Sequence, residues 1–445
     1  MAKRYEAADF EEAQELFHSR GWTDGLPIVP PTPERVAEFL AAAGLAPDAQ
    51  IGFYAERRIP VLAEPLAINA VMAGCRPDYF PVVVAIMEAM LDPSFRIHVI
   101  NSSTGSFTIG FIVNGPIRNR LGMNAHGNML GPGNRANSTI GRAIRLIQIN
   151  VLGSIPGAGG PEAGHGRAVL DRSMMGQPAK YAGYHIVENE EAFPSLTPLH
   201  VELGFAPENS TVSLVFIADY QWICAHAEQT PDAWCDTMAH YVVQSAHLQR
   251  DGNTVLLLPP ESAGLFVRYG WSKQDIRDAL YQRTRRSVAW VKENGWKVQW
   301  QRSRLEPIEP GDEDTMLAMA GSSRPEDLII VTAGGPAGSW PYHLYSGGGA
   351  KLITRKIRDG SAGQPVDAVI EDALAGQRAL LAADGYGLTL ASDASGAIVA
   401  TISAGPEACP DCLVPKPLMH TYFEKALTSV YAGRIPEVRL IYPAD

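Results

Sequence analysis

The residue pattern predicts a mixed α/β chain, α+β in its detail, built as two closely packed domains. Three observations predict it. Short β-branched or aromatic runs, such as FTIGFIV (107–113), TVSLVFIA (211–218), TVLLL (254–258) and LIIVT (328–332), read as strands, and segments with apolar residues at helical spacing alternate with them. The chain has 445 residues, more than one hydrophobic core usually organises, so we expect domains at 1–210 and 211–445. Two strands run directly into glycine turns, Asn114-Gly115-Pro116 and Ala333-Gly334-Gly335-Pro336, which places a cleft between the two halves.

Composition narrows the function classes. Apolar residues make up 46% and charged residues 19%, an ordinary globular balance. The formal net charge of -11 argues against a general nucleic-acid binder. The longest apolar run, near 80–91, is interrupted by Glu88, so no membrane span is expected. The N-terminal stretch lacks an apolar signal-peptide core, and five cysteines form no even framework, so the expected setting is reducing and cytoplasmic.

Taken in order, residues 5–18 have helical spacing, and Thr32 can cap a helix that begins with Pro33. Trp22, Thr23 and Asp24, in GWTDGLP, read as a structural turn or a ligand-facing loop. Residues 64–91 read as two helices broken at Gly74-Cys75-Arg76-Pro77. Cys75 then sits near a helix N-terminus beside Arg76, a setting that lowers a thiol pKa; the alternative is a buried small hydrophobe. RIHVIN (96–101) reads as a strand before FTIGFIV, and Asn137 as the cap of a helix from Ser138 to about Leu152. YHIVENEEAFPSLTPLHVELGF, TVSLVFIA and WICAHAE suggest a meander, with His200 and Glu202 on one strand face and Cys224, His226 and Glu228 on another. Residues 231–249 and 272–296 read as helices, 300–326 as a linker, 366–383 and 416–431 as helices, and 387–403 as a hairpin turning at Asp393 to Gly396. Cys409-Pro410-Asp411-Cys412 is open between unpaired thiols, a redox dithiol and a zinc site.

The strongest chemical signal lies in 114–167. This stretch is rich in glycine and asparagine and carries Arg118, Arg120, Arg135, Arg142, Arg145 and Arg167 against Glu162 alone, with His126 and His165 in addition. Six positive charges less one negative give +5 within an acidic protein. Glycine admits close approach of peptide N–H groups, and arginine forks around carboxylate or phosphate, so the stretch reads as the wall of an anion site. Neither the phosphate-loop nor the dinucleotide fingerprint is present. The expected substrate-binding residues are Asn114, Asn124, Asn128, Asn134, Arg135, Asn137 and Arg142. Glu188, Glu190 and Glu191 crowd one turn, and like charges held close raise one carboxyl pKa, which suits acid–base work.

Several stretches are similar to a widespread group of bacterial proteins: GWTDGLPIVPPT (21–32), AGCRPDYFPVV (73–83), VNGPIRNRLGMN (113–124), GPGNRANSTIGRAIRL (131–146) and ENEEAFPSLTPLHVELGF (188–205). They resemble the family associated with the UGSC thiol or selenol motif, found in the same chain or in a neighbouring partner. The resemblance implies a catalytic role and a thiol or selenol partner protein. No UGSC or CGSC sequence is present here.

The expected function is an enzyme acting on a small anionic substrate by lyase- or hydratase-type proton transfer. His126 or His200 would work with Glu188, Glu190 or Glu202, without a cofactor. The alternatives are a thiol-dependent enzyme using Cys75, a metal enzyme drawing on Cys224, His226, His200 and Glu202, and a non-catalytic anion-binding subunit. A homo-oligomer is expected.

Overall fold

The computed structural model describes residues 3–157, 170–225, 227–245, 253–294, 313–318, 324–345, 350–358, 364–365, 370, 373–392, 398–405, 408, 413–428 and 437–443. Glu162, His165, Arg167, His226, the Cys409–Cys412 motif and the expected turn at 393–396 lie outside the described residues. The fold is α+β, with helices and several small sheets of mixed direction.

The first half holds α1 (Phe10–Ser19), α2 (Pro33–Ala42), a β1–β2 hairpin (Gln50–Tyr54, Ile59–Leu62), α3 (Ala63–Met72), α4 (Phe80–Met90), α5 (Ile97–Ser102), β3 (Thr108–Asn114), α6 (Ile117–Arg120), α7 (Arg135–Asn150), β4 (Tyr184–Val187) and α8 (Leu199–Glu202). Thr32 caps α2 with its side chain and Pro33 opens it, as the residue types require. The second half holds β5 (Thr211–Ile217), β6 (Asp219–Trp222), α9 (Pro231–Ser245), β7 (Thr254–Leu258), α10 (Pro260–Arg268), α11 (Lys273–Thr284), β8 (Arg285–Ser287), α12 (Val288–Glu293), β9 (Met316–Ala318), β10 (Leu328–Thr332), β11 (Tyr342–Tyr345), β12 (Ile353–Lys356), β13 (Gln364–Pro365), α13 (Ala375–Ala383), β14 (Tyr386–Ser392), β15 (Ile398–Ala404), α14 (Lys416–Thr428) and β16 (Val438–Ile441).

Three four-stranded sheets organise these elements. The first has the order β12-β5-β3-β4, with β3 parallel to β4 and the other pairs antiparallel. Residues before and after 210 thus share one sheet. Strands β3 and β5 are buried along their whole length, which explains why they are mostly apolar rather than alternating. The second sheet has the order β10-β7-β11-β6, with β7 and β10 parallel. One face shares a core with the first sheet through Val255, Leu257, Ile329, Val331 and Leu344; the other packs on Trp234, Phe266 and Leu280. The third sheet, β13-β14-β15-β16, has its own core around Leu374, Ile402 and Phe423. Among the described residues no helix is long and apolar enough to cross a membrane.

Four local expectations are corrected. RIHVIN is helical, not a strand: Ile97, Ile100 and Asn101 are buried at three- and four-residue spacing, and the Ser102 hydroxyl donates to the His98 carbonyl. Helix α7 starts one turn earlier than expected, because Asn134 rather than Asn137 caps it. His200 and Glu202 lie in the one-turn helix α8 after Pro198, not on a strand face. The helix expected over 272–296 ends at Thr284, where β8 leaves to pair with β9.

Candidate functional site

The glycine- and asparagine-rich stretch is held by its own amide side chains. Asn137 is fully buried; its Oδ1 accepts from the Asn124 N–H at 3.0 Å, and its Nδ2 donates to the Asn124 and Met129 carbonyls at 2.9 and 3.3 Å. Asn134 caps α7 and donates to the Gly122 carbonyl. Asn124 donates to the Gly127 carbonyl and accepts from the His126 N–H. Asn128 adopts a left-handed backbone (φ 62°) and donates to the Pro132 carbonyl. These asparagines shape a loop; their side-chain bonds go to its backbone.

The arginines do not converge on that loop. Arg142 forks onto Asp24 at 2.8 and 2.9 Å and also donates to the Leu26 and Pro27 carbonyls, so it anchors the GWTDGLP turn. Arg135 donates to the Gly74 and Cys75 carbonyls. Arg118 is buried against Glu190 and Glu191, and Arg145 pairs with Asp171. The expected anion clamp of Arg135 and Arg142 is therefore not assembled: carboxylate and carbonyl oxygens of the chain itself take those donors.

The ENEE turn is a buried ion-pair knot. Glu188 meets Lys273 at 2.9 Å and accepts from Asn114 Nδ2 at 2.6 Å and from the Leu199 N–H at 2.8 Å. Glu190 accepts from Asn114, the Gly115 N–H and Arg118, with His200 Nδ1 3.8 Å away. Arg277 forks onto Glu202 at 2.9 and 3.0 Å. Hydrogen bonding to Arg118 holds the Glu191 carboxyl at about 2, against the effect of burial. The turn thus brings Asn114, Glu188, Glu190, His200 and Glu202 together, but as an ion-paired joint between the first sheet and α11 in which Arg118, Lys273 and Arg277 bind the carboxylates.

Cys75 is buried, its thiol donating to the Thr139 carbonyl at 3.2 Å. Burial pushes its pKa up to about 12, overriding the nearby Arg135, so the expected lowering is reversed. Among the described residues no three His, Cys, Asp or Glu side chains gather as a metal set, so Cys224, His200 and Glu202 do not form one.

The 333–336 turn meets the 125–131 loop, not the Asn114-Gly115-Pro116 turn expected to face it, which lies against Asn209 and Ser210. Gly334 donates to the Ala125 carbonyl at 2.9 Å, His126 bridges to Gly334, and a Cβ on Gly335 would stand 3.3 Å from the Gly127 Cα. His126 itself is exposed, with Nδ1 3.2 Å from Asn189 Nδ2. Beside this contact opens a cleft of about 800 Å³, walled by 127–131 on one side and 333–338 on the other. Its remaining wall is aromatic. Trp222 and Trp340 stack with ring centres 4.6 Å apart and planes 7° apart; Tyr220 and Tyr342 stack at 5.4 Å; Tyr184 meets Tyr220 edge-on at 6.0 Å. Asp219 and Gln177 also line it, while among the described residues no lysine or arginine does.

His185, on β4, lines the same cleft and is only 6% exposed. Neither ring nitrogen makes a hydrogen bond of good geometry among the described residues, the Met129 backbone being a polar neighbour. Burial pushes its pKa below the usual value against the interaction with the Met129 backbone, so the ring is neutral at neutral pH. Sequence reasoning passes over His185 and the aromatic wall. The legible signal is aromatic residues two apart in two segments, Tyr220 with Trp222 and Trp340 with Tyr342, which places each pair on one face of an extended chain.

No protein-family model matches the chain, and no curated protein or solved structure matches it.

Proposed function

We propose that the chain is an enzyme that binds a small, flat, neutral or cationic organic molecule in the cleft between the 127–131 loop and the 333–338 turn and exchanges a proton with it. The observation that carries this reading is His185, a buried and neutral imidazole at the wall of an aromatic cleft, with no well-formed hydrogen bond to either nitrogen among the described residues. A buried polar group without a partner costs about 1–3 kcal/mol. A ligand group supplying the missing hydrogen bond removes that cost. A neutral imidazole is the right state for a general base, and the chemistry it serves is of the lyase or hydratase kind. The stacked indoles and phenols offer faces for a ring, and Asp219 is the one carboxylate on the lining among the described residues. Among them an anionic substrate would meet no guanidinium here, so the expected anion is replaced by an uncharged or positively charged ring.

The test is a tryptophan-fluorescence titration with small aromatic and nitrogen-heterocyclic compounds, followed by NMR of each binder in D2O. Binders should quench the native chain and fail to quench a Trp222→Phe/Trp340→Phe variant. His185→Gln should keep binding and abolish enzyme-catalysed C–H exchange of the ligand. Exchange that persists at the native rate in His185→Gln would overturn the reading.

A further inference from the structure

Two polar side chains on the cleft wall differ in what they have left to offer. Gln177 is spent: its Oε1 accepts from the Tyr184 hydroxyl at 3.2 Å, and its Nε2 donates to the Ser106 and Ala218 carbonyls. Asp219 is not. Its Oδ1 accepts from the Tyr220 N–H at 2.8 Å, and the carboxylate is exposed on the lining. Its charge reaches the neighbouring rings: after burial, it is the next cause raising the Tyr184 and Tyr345 phenols, Tyr345 to about 12.

Beside Asp219 runs the strip of rings. Strands β6 and β11 pair with Trp222 opposite Tyr342 and Asp219 opposite Tyr345, so one ribbon carries both the rings and the carboxylate. Tyr220 and Trp222 remain 46% and 52% exposed, so the stacking leaves ring surface uncovered. The face of an aromatic ring is the negative side of its quadrupole, and it attracts a cation laid over it. A carboxylate at the end of such a strip favours the same sign.

Proton transfer to His185 selects that sign as well. Burial weakens this imidazole as a base. Taking a proton from an uncharged ligand would turn two neutral partners into a cation and an anion, which is costly where protein replaces water. With a cationic heterocycle the charge only moves. A C–H bond on a carbon attached to the ring breaks, the proton goes to a His185 ring nitrogen, and the electron pair runs into the ring to neutralise its charged nitrogen. The total stays at one positive charge, now on the imidazolium. The imidazolium exchanges its proton with water and returns one to the carbon, so no oxidant or reductant is needed.

We infer that the cleft selects a planar nitrogen heterocycle carrying a positive charge, laid against Tyr220 and Trp222, with Asp219 setting the charge preference. The inference rests on the reading of the cleft as a ligand site and narrows the two charge classes left open there to one.

The experiment compares N-methylquinaldinium with quinaldine, the same fused rings with and without a fixed positive charge, by isothermal titration of the full chain in mildly alkaline buffer. The cation should bind at least about tenfold more tightly. Asp219→Asn keeps an acceptor for the Tyr220 N–H and removes the charge, so the cation should lose most of that advantage while quinaldine affinity stays native. Glu208→Gln removes an exposed carboxylate that is not on the lining and should leave both affinities native. Four results would overturn the inference: no binding of the cation, quinaldine binding as tightly as the cation, native selectivity in a folded Asp219→Asn, or an equal loss in Glu208→Gln. Methyl-proton exchange of each compound in D2O keeps the two readings apart. Exchange on both that needs His185, at equal affinity, overturns the charge preference and leaves the enzyme standing. Charge-selective binding without exchange upholds the preference and overturns the enzyme.

Discussion

Lys273 Nζ sits 2.9 Å from Glu188 Oε1, with both side chains at most 3% exposed. Lys273 is on α11 and Glu188 follows β4, so the pair joins the second half of the chain to the first sheet. Removing one partner strands the other charge in the interior. Lys273→Met should therefore cost about 3–5 kcal/mol of unfolding free energy. Urea titration measures this, and a Glu188→Gln/Lys273→Met double variant should recover part of the loss. An unchanged midpoint in the single variant would show that water reaches Glu188.

Stability should fall with acid before carboxylates begin to titrate. His343 is fully buried, its Nε2 2.7 Å from Thr254 Oγ1, and burial pushes its pKa down to about 3. His185 shifts in the same direction. An unfolded histidine takes up a proton near pH 6.5 whereas these folded ones do not. The unfolded state therefore binds more protons below that pH, and stability drops as pH falls from about 6.5. Each histidine adds a slope of up to about 1.4 kcal/mol per pH unit. Unfolding followed from about pH 7.5 to 4.5 should show it, and His343→Gln should flatten it. The carboxyls of Asp92, Asp171 and Glu191, all held low, lose their contribution only at more acid pH.

Alkylation separates the thiols. Cys75 is buried with its pKa near 12, whereas Cys224 is exposed. Iodoacetamide at about pH 8 should label Cys224 in minutes and reach Cys75 only after denaturant is added. Mass spectrometry of peptides reports both; rapid native labelling of Cys75 would restore a reactive thiol.

Gly141 fixes how closely α7 approaches the cleft wall at Ala182. A Cβ there would stand 1.9 Å from the Ala182 carbonyl oxygen, a backbone atom that cannot swing aside. Gly141→Ala should cost about 1–3 kcal/mol from overpacking, read as a lowered thermal midpoint. Helix propensity alone predicts the opposite sign, since alanine is favoured over glycine by about 1 kcal/mol.

Much of the scaffold was legible because single strands and capped helices are local objects. The runs at 107–113, 211–218, 254–258 and 328–332 became β3, β5, β7 and β10. RIHVIN misled because β-branched residues favour strands, while the burial of Ile97, Ile100 and Asn101 that makes it a helix is a tertiary fact. The shared pattern of the Asn114-Gly115-Pro116 and Ala333–Pro336 turns suggested that they face each other, yet the second turn meets the 125–131 loop instead. What the arginines touch was not legible either. Asp24 lies 118 positions from Arg142 in sequence, and no local spacing says that the two meet. His185 was hidden for the same reason: its orphaned nitrogens depend on what β4 is packed beside.

The pairing of β12 with β5 has a bearing on how the chain is made. Strand β5 is buried throughout, yet its outer edge is completed only by Ile353–Lys356, far downstream. During synthesis that edge stays open while more than a hundred further residues emerge, and a raw apolar edge is a template for joining other chains. A product terminated before residue 353 should accumulate as insoluble aggregate, however completely its other elements have formed.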